Sequence, residues 1–236
     1  MPWILRGLRD GVVTTRYPRR PDPYADSFAG AVTVLDTTAE GDVAGLCPTG
    51  AIAKQPGGIT LDSGRCILCG RCVAARPDVF AWSAGSQTAR LAELRDDLAA
   101  RVRRLRRSVH IRHVDAGSDG ADEWEIAALL NPVYDVHRLG IFFTASPRHA
   151  DILLVTGAGT HGMAAPLART LDAMPRPVVV IAVGTDAASG GLVSPSYATS
   201  GGLAEQLPVD VWVPGSPASP FAILHGILLA LGRVTP

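Results

Sequence analysis

Two kinds of hydrophobic pattern divide the chain. From His110 onward, apolar runs of strand length alternate with apolar positions at three- and four-residue steps. His110 to Val114, Asp151 to Thr156, Val178 to Val183 and Val209 to Val213 predict strands, and Ala164 to Met174 and Phe221 to Leu231 predict helices. Gly157, Gly184 and Gly215 follow three of those strands. That alternation is the signature of an α/β doubly wound sheet, in which ligands collect at the carboxyl edge of the strands. The loops at that edge are AGSDGADEWE (116–125), GTDAASGG (184–191) and PGSPASP (214–220).

Before this half, Leu91, Leu94, Leu98, Val102, Leu105 and Val109 recur at helical spacing, with Arg101, Arg103, Arg104, Arg106 and Arg107 on the other faces. The pattern predicts a linker helix over 91–108, with the arginines solvated or touching another subunit. Further upstream the period is irregular. Ala31 to Leu35 predicts a strand, a helical turn is expected after Cys47-Pro48, and Gly57-Gly58 with Ile59 to Leu61 predicts a hairpin. Residues 1–22 carry Trp3, Ile4, Leu5 and Leu8 among Arg6, Arg9, Arg16, Arg19 and Arg20. The apolar run is too short for a signal peptide, so the stretch reads as an amphipathic leader that docks on another subunit or forms a surface helix.

The four cysteines change the picture most. Cys66, Cys69 and Cys72 form C-x-x-C-x-x-C, and Cys47 precedes Pro48 in CPTGAIAKQPGGITLDSGRCILCGRC. This is half of a two-cluster ferredoxin pattern, and four thiolates in this spacing suit one 4Fe-4S cluster. A zinc knot would pair C-x-x-C with a second such pair or with His, and no His lies between Cys47 and Cys72. Two disulfides would need an oxidising compartment.

Charge adds little. The 22 basic and 22 acidic residues cancel, Lys54 is the only lysine, and the arginine run lacks interleaved aromatics, so a nucleic-acid partner is not expected. No apolar run approaches the roughly eighteen to twenty residues of a membrane span.

The segments HIRHVDAGS, LLNPVYDVHRLGIFFTASPRHADILLVTG, PVVVIAVGTDAASGG and PVDVWVPGSPASP resemble the small subunit of membrane-bound nickel–iron hydrogenases of the formate hydrogenlyase type. That subunit is similar to the B-type subunit of NADH:quinone oxidoreductase (complex I). Residues 1–90, including WILRGLRDGVVTTRYP, resemble the ferredoxin-like partner subunit of the same complexes, so the chain looks like a fusion. The resemblance implies a leader (1–22), an α+β ferredoxin-like domain (23–90) and a linker helix (91–108). An α/β flavodoxin-like domain (109–236) follows. It further implies a peripheral place on the cytoplasmic side of the cell membrane, against a hydrogenase-like or complex I-like large subunit and membrane subunits.

The departures from the family pattern are as informative. The family's loop cysteines hold a proximal 4Fe-4S cluster; the aligned positions here are Asp119, Asp122, Asp186 and Ser216, with Ala188 at a further cysteine. Oxygen ligands do not suit iron–sulfur, although they would suit a hard divalent ion. A second ferredoxin cluster would need cysteines at Thr37, Glu40, Val43 and Arg76. The expectation is an electron-transfer subunit with one 4Fe-4S cluster on Cys47, Cys66, Cys69 and Cys72 and no catalytic centre of its own. The alternative is a structural adaptor whose cluster is a staple or sensor. Among the other polar residues, His113 with Asp115 is a candidate proton-handling pair, and Glu125 coincides with a family Glu and is assigned an interface role. His110 and His113 otherwise read as satisfied polar groups or subunit contacts, His161 follows a strand end where a functional role is open but no pattern assigns one, and the 155–165 glycines match a phosphate loop only loosely. Ser189 and Ser194 lack a nucleophile's partners.

Overall fold

The computed structural model describes residues 2–92, 98–103, 105, 108–194 and 196–235. Helix α1 (Trp3–Asp10) buries none of its residues, and Trp3, Ile4, Leu5 and Leu8 are exposed. The chain then crosses the second half of the molecule. The Thr15 amide donates to the Val133 carbonyl at 2.7 Å, and Arg138 Nη2 donates to the Tyr17 carbonyl at 2.6 Å. The Tyr17 hydroxyl lies 2.7 Å from His225 Nδ1.

Strand β1 (Ala29–Val34) and hairpin β2 (Ile52–Gln55) and β3 (Gly58–Leu61) follow, then α2 (Arg71–Ala75) and β4 (Phe80–Ala84). β1 pairs antiparallel with β4 and β2 with β3, giving two small sheets. Their shared core contains Val32, Val43, Ile52, Ile59, Val79 and Phe80 together with Cys72. The hairpin forms where the glycine pair predicts it. The helical turn expected after Cys47-Pro48 does not: the single 3-10 turn lies before the cysteine, at Ala44–Leu46, and the chain enters β2 within a few residues. The Ala51 amide is committed to Cys47 Sγ, which leaves no helical hydrogen-bond ladder to propagate.

Strand β5 (Arg90–Leu91) falls at the predicted start of the linker helix, yet it pairs antiparallel with the larger sheet. Helix α3 (Leu98–Val102) is the described part of the predicted 91–108 helix; Leu94, Arg104, Arg106 and Arg107 lie outside the described residues. The arginine pattern misleads at Arg101, whose side chain turns inward to Asp210 and the Val178 carbonyl.

Then come β6 (Val109–Asp115), α4 (Ala121–Ala128), β7 (Ile141–Phe143), β8 (Ile152–Thr156), α5 (His161–Ala173), β9 (Val179–Val183), α6 (Thr185–Ser189), β10 (Val211–Val213) and α7 (Pro220–Ala230). The six-stranded order is β5-β10-β9-β8-β6-β7, with all but β5 parallel. Without β5 this is the 2-1-3-4-5 order of a flavodoxin-like doubly wound sheet. Every residue of β8 and β9 is buried because both faces are covered. Ile152 and Leu154 face the core that contains α7, and Leu153 and Val155 face the α5 side. Ser219 caps α7 by accepting from the Ala222 amide at 3.2 Å, with Pro220 at the first helical position.

Gly157, directly after β8, shows how tightly the sheet edge is built. Its φ is +86°, and a Cβ there would lie 2.6 Å from the Gly117 carbonyl carbon and 2.7 Å from the Ser118 amide nitrogen. Backbone cannot yield as a side-chain tip can, so Gly157→Ala is expected to destabilise by about 2–3 kcal/mol. Gly162→Ala, with nothing within 4 Å of its Cβ, should be neutral or stabilising. Urea midpoints of the two variants test the contrast.

Candidate functional site

The four cysteines occupy one end of the small-sheet region. Cys72 is buried, Cys47 and Cys66 are half-buried and Cys69 is exposed. The loop between them turns through left-handed backbone at Leu68 (φ 53°) and Gly70 (φ 70°). At Gly70 the conformation favours glycine, and a Cβ would approach the Trp82 ring to 2.8 Å. The Trp82 indole therefore lies flush against the loop that carries Cys69 and Cys72.

Protein dipoles point at the sulfurs. Cys47 Sγ accepts from the Ala51 amide at 3.2 Å and lies 3.4 Å from the Thr49 hydroxyl. Burial opposes ionisation of Cys47, but hydrogen bonds from Thr49, Ala51 and Ile52 outweigh it and hold the thiol below its ordinary value. Burial pushes Cys66 up, against a hydrogen bond from the Leu68 amide, and the other three cysteines push it further. Burial also raises Cys72, against the Val73 amide. Four mutually repelling thiolates in an apolar shell favour a cationic partner that neutralises them, and the amide donors suit sulfur that stays anionic. Among the described residues, no three His, Cys, Asp or Glu side chains converge as ligands of a single metal ion would.

The positions where a second ferredoxin cluster would need cysteines are filled by other contacts. Val43 is buried in the small core, the Thr37 carbonyl accepts from the Ile59 amide, and Arg76 reaches the Glu40 carbonyl at 3.2 Å while pairing with Asp78.

The cysteine loop abuts the carboxyl edge of the large sheet. Thr185 Oγ1, at the start of α6, donates to the Cys66 carbonyl at 2.9 Å. A Cβ added at Gly64 would lie 3.5 Å from the Ala188 methyl. Three of the four residues aligned with the family's proximal cysteines interact electrostatically at this edge. Asp122 is 6% exposed, and its Oδ1 accepts from the Ala218 amide at 2.9 Å. Its other oxygen lies against Gly184, where a Cβ would come within 2.0 Å of it. Asp122 thus fills the space between the loops after β6, β9 and β10. Burial, with Glu123, Asp186 and Asp119 adding, pushes its carboxyl up to about 7. Asp186 is also raised, by burial and then by Asp119 and Glu123. Asp119 instead caps the local turn by accepting from the Ala121 amide at 3.0 Å. Ser216 lies apart, on a cavity beside α7.

Glu123 is the residue sequence reasoning missed. It accepts from the Ser118 hydroxyl at 2.7 Å and from the Thr156 hydroxyl. His113 Nε2 is 3.1 Å from Thr156 Oγ1, and because that hydroxyl donates to Glu123 the imidazole must donate in turn. Burial pushes His113 below its ordinary value, against the pull of Glu123 and Asp115. The candidate His113–Asp115 pair does not form a hydrogen bond, because Asp115 accepts from the Gly117 and Ser118 amides instead. The available signal for Glu123 was its place in the first turn of a helix entering at the sheet edge. His110 stacks on Phe142 at 5.7 Å, and His161 starts α5 with its amide on the Ala198 carbonyl.

Residues 120–230 match the family model of the NADH ubiquinone oxidoreductase, 20 Kd subunit. The chain is 42% identical over 134 residues to formate hydrogenlyase subunit 7 of Escherichia coli (strain K12), covering 57% of this chain and 52% of that protein. It is 43% identical over 128 residues to a probable membrane-bound hydrogenase subunit, mbhJ, of Pyrococcus furiosus, covering 54% of this chain and 77% of that one. The chain thus spans about half the length of the first relative. Among solved structures, a chain of the membrane-bound sulfane sulfur reductase, an archaeal respiratory membrane complex, superposes with a TM-score of 0.50 at 29% identity. That match covers 56% of this chain and 73% of that one. Among the described residues, no helix is long and apolar enough to cross a membrane.

Proposed function

The chain belongs to the family of the NADH ubiquinone oxidoreductase 20 Kd subunit, and from that premise we propose that it is an electron-transfer subunit of a membrane-associated, hydrogenase-like or complex I-like assembly. Residues 23–90 are read as a ferredoxin-like domain that holds one 4Fe-4S cluster through Cys47, Cys66, Cys69 and Cys72. The two antiparallel strand pairs and the short α2 support that reading. Residues 109–236 are the hydrogenase small subunit-like part, without a cluster of its own. The assembly partners are a large subunit and membrane subunits, and the chain is peripheral on the cytoplasmic side.

The observation that carries the proposal is the cysteine loop itself, with amides aimed at its sulfurs and its Cys66 carbonyl hydrogen-bonded to Thr185 at the large sheet's edge. A bound 4Fe-4S cluster supplies reversible one-electron storage. The protein supplies four thiolates, an apolar shell, amide donors to Cys47, Cys66 and Cys72, and a hydrogen bond from Thr185 of α6 to the Cys66 carbonyl. In this reading the subunit passes charge and has no catalytic centre of its own.

One observation favours a second reading, in which the large-sheet half is a structural adaptor. Asp122 already joins the loops after β6 and β10 by a hydrogen bond, as a cluster would join them by ligation. Iron and acid-labile sulfide per chain after anaerobic purification, with EPR after dithionite reduction, separate the possibilities. Electron transfer predicts about four irons and a reducible signal that Cys69→Ala abolishes. About eight irons would place a cluster in the Asp/Ser edge and defeat the one-cluster assignment. Four irons that dithionite cannot reduce would favour the adaptor.

A further inference from the structure

A cavity of about 420 Å³ lies between α7, the loop before β1 and the end of α4. Its walls include Tyr24, Phe28, Tyr134 and Phe221, with the carboxylates of Asp22 and Glu125 at its rim. The rings are set at angles to one another. Tyr134 meets Phe221 edge-on at 4.9 Å, and Tyr24 is tilted by 50° at 6.4 Å from the same ring. Aromatic side chains lining a cavity offer π-faces to a cation.

The charge balance points the same way. Asp22 Oδ1 accepts from the Tyr24 amide at 2.8 Å and Oδ2 from the Ser86 hydroxyl at 2.9 Å, so it is held in place with neutral partners. Glu125 is half-buried, and among the described residues no donor hydrogen-bonds to its carboxylate and no cation pairs with it. Burial alone pushes it upward, with no basic group to offset that. Tyr134 is raised by burial and then by Glu125, Asp22 and Tyr24 together. A cavity of this size, lined by aromatic rings and two carboxylates, suits a positively charged ligand.

We propose that this cavity is a receptor for an organic cation, a guanidinium or alkylammonium headgroup that salt-bridges Glu125 and stacks on Tyr24 and Tyr134. The headgroup belongs either to an arginine or lysine of a partner subunit or to a free small molecule. Leu68, between Cys66 and Cys69, lines the same cavity, so the occupant lies beside the cysteine loop.

Isothermal titration calorimetry of the anaerobically purified full chain with N-methylguanidinium, against its neutral analogue N-methylurea, tests the site. The expected result is saturable binding of methylguanidinium at millimolar concentration and at least tenfold weaker binding of methylurea. Glu125→Gln should lose at least tenfold. Tyr24→Leu, at an exposed position, should lose about threefold with the fold unperturbed. Equal binding of the two probes, or unchanged binding in Glu125→Gln, overturns the proposal. A second arm rests on the assembly reading. If Glu125→Gln also weakens association with the large subunit and methylguanidinium competes for it, the cation is the partner's side chain. If association is unchanged while methylguanidinium binding is lost, the cation is a free molecule. Because the first arm uses the chain alone, it can fail or succeed whatever becomes of the electron-transfer assignment.

Discussion

Replacing Asp210 with Ala is expected to lower stability by about 3–5 kcal/mol, the usual cost of removing one partner from a buried ion pair. Asp210 precedes β10, and its side chain is 1% exposed against 18% for Arg101. The two form a bidentate contact from α3, while Arg101 Nη1 also donates to the Val178 carbonyl at 2.6 Å. The other side of the carboxylate accepts from the Val180 amide at 2.9 Å, and the Asp210 backbone bonds Val180 and Ala92. One residue thereby joins β5, β9, β10 and α3 at the amino edge of the sheet. Truncation takes the carboxylate away from the part-buried Arg101 guanidinium and from the Val180 amide together. The thermal midpoint should fall by roughly 6–20 °C. Arg101→Met with Asp210→Leu should recover part of that loss, since neither member of the pair is then left facing a missing one. A single variant within about 1 kcal/mol of the parent protein would contradict the pairing.

Asp122 sets the second large effect, which appears as pH dependence. In the unfolded chain its carboxyl ionises near the ordinary 3.8, and in the folded protein it keeps its proton to about 7. The folded state therefore binds more protons between those values, and stability falls as pH rises through the window. The contribution is fully present below about pH 4 and lost above about pH 7. A three-unit displacement corresponds to a difference on the order of 4 kcal/mol across the window. Asp186, raised in the same direction, adds to the same slope. Asp122→Asn keeps an oxygen to accept the Ala218 amide and removes the ionisation. The variant should match the parent near pH 4 and exceed it in stability by a few kcal/mol near pH 8. Denaturant midpoints at the two pH values decide it. A difference between the proteins that does not vary with pH would show that Asp122 is ionised in the fold like any surface carboxylate.

The longer elements of the large-sheet half were legible because each is specified by a local period. Strands at Ile152–Thr156 and Val179–Val183 are continuous apolar runs buried on both faces, and Pro220–Ala230 is apolar all round. The small hairpin was legible from Gly57-Gly58 with Ile59 to Leu61. The three-residue β7 and two-residue β5 are too short to show a period, and β5 forms only because β10 presents an open edge to Arg90–Leu91. Helical spacing likewise described the surroundings of Arg101 correctly but could not show that its head turns inward.

The sequence by itself determined the chemistry available: four thiols in ferredoxin spacing, carboxylates and a serine where the related family has thiols, and strands whose ends bring those loops to one edge. Residue type and short-range spacing decide such things, because bond lengths limit how far a tight loop can wrap. Only the tertiary structure decided which groups meet. Thr185 reaches Cys66 across 119 positions and Tyr17 reaches His225 across 208. Asp122 reaches Ala218 across 96. Contacts at such separations depend on the packing of whole sheets, and the burial that raises Asp122 arises only when three loops close over it.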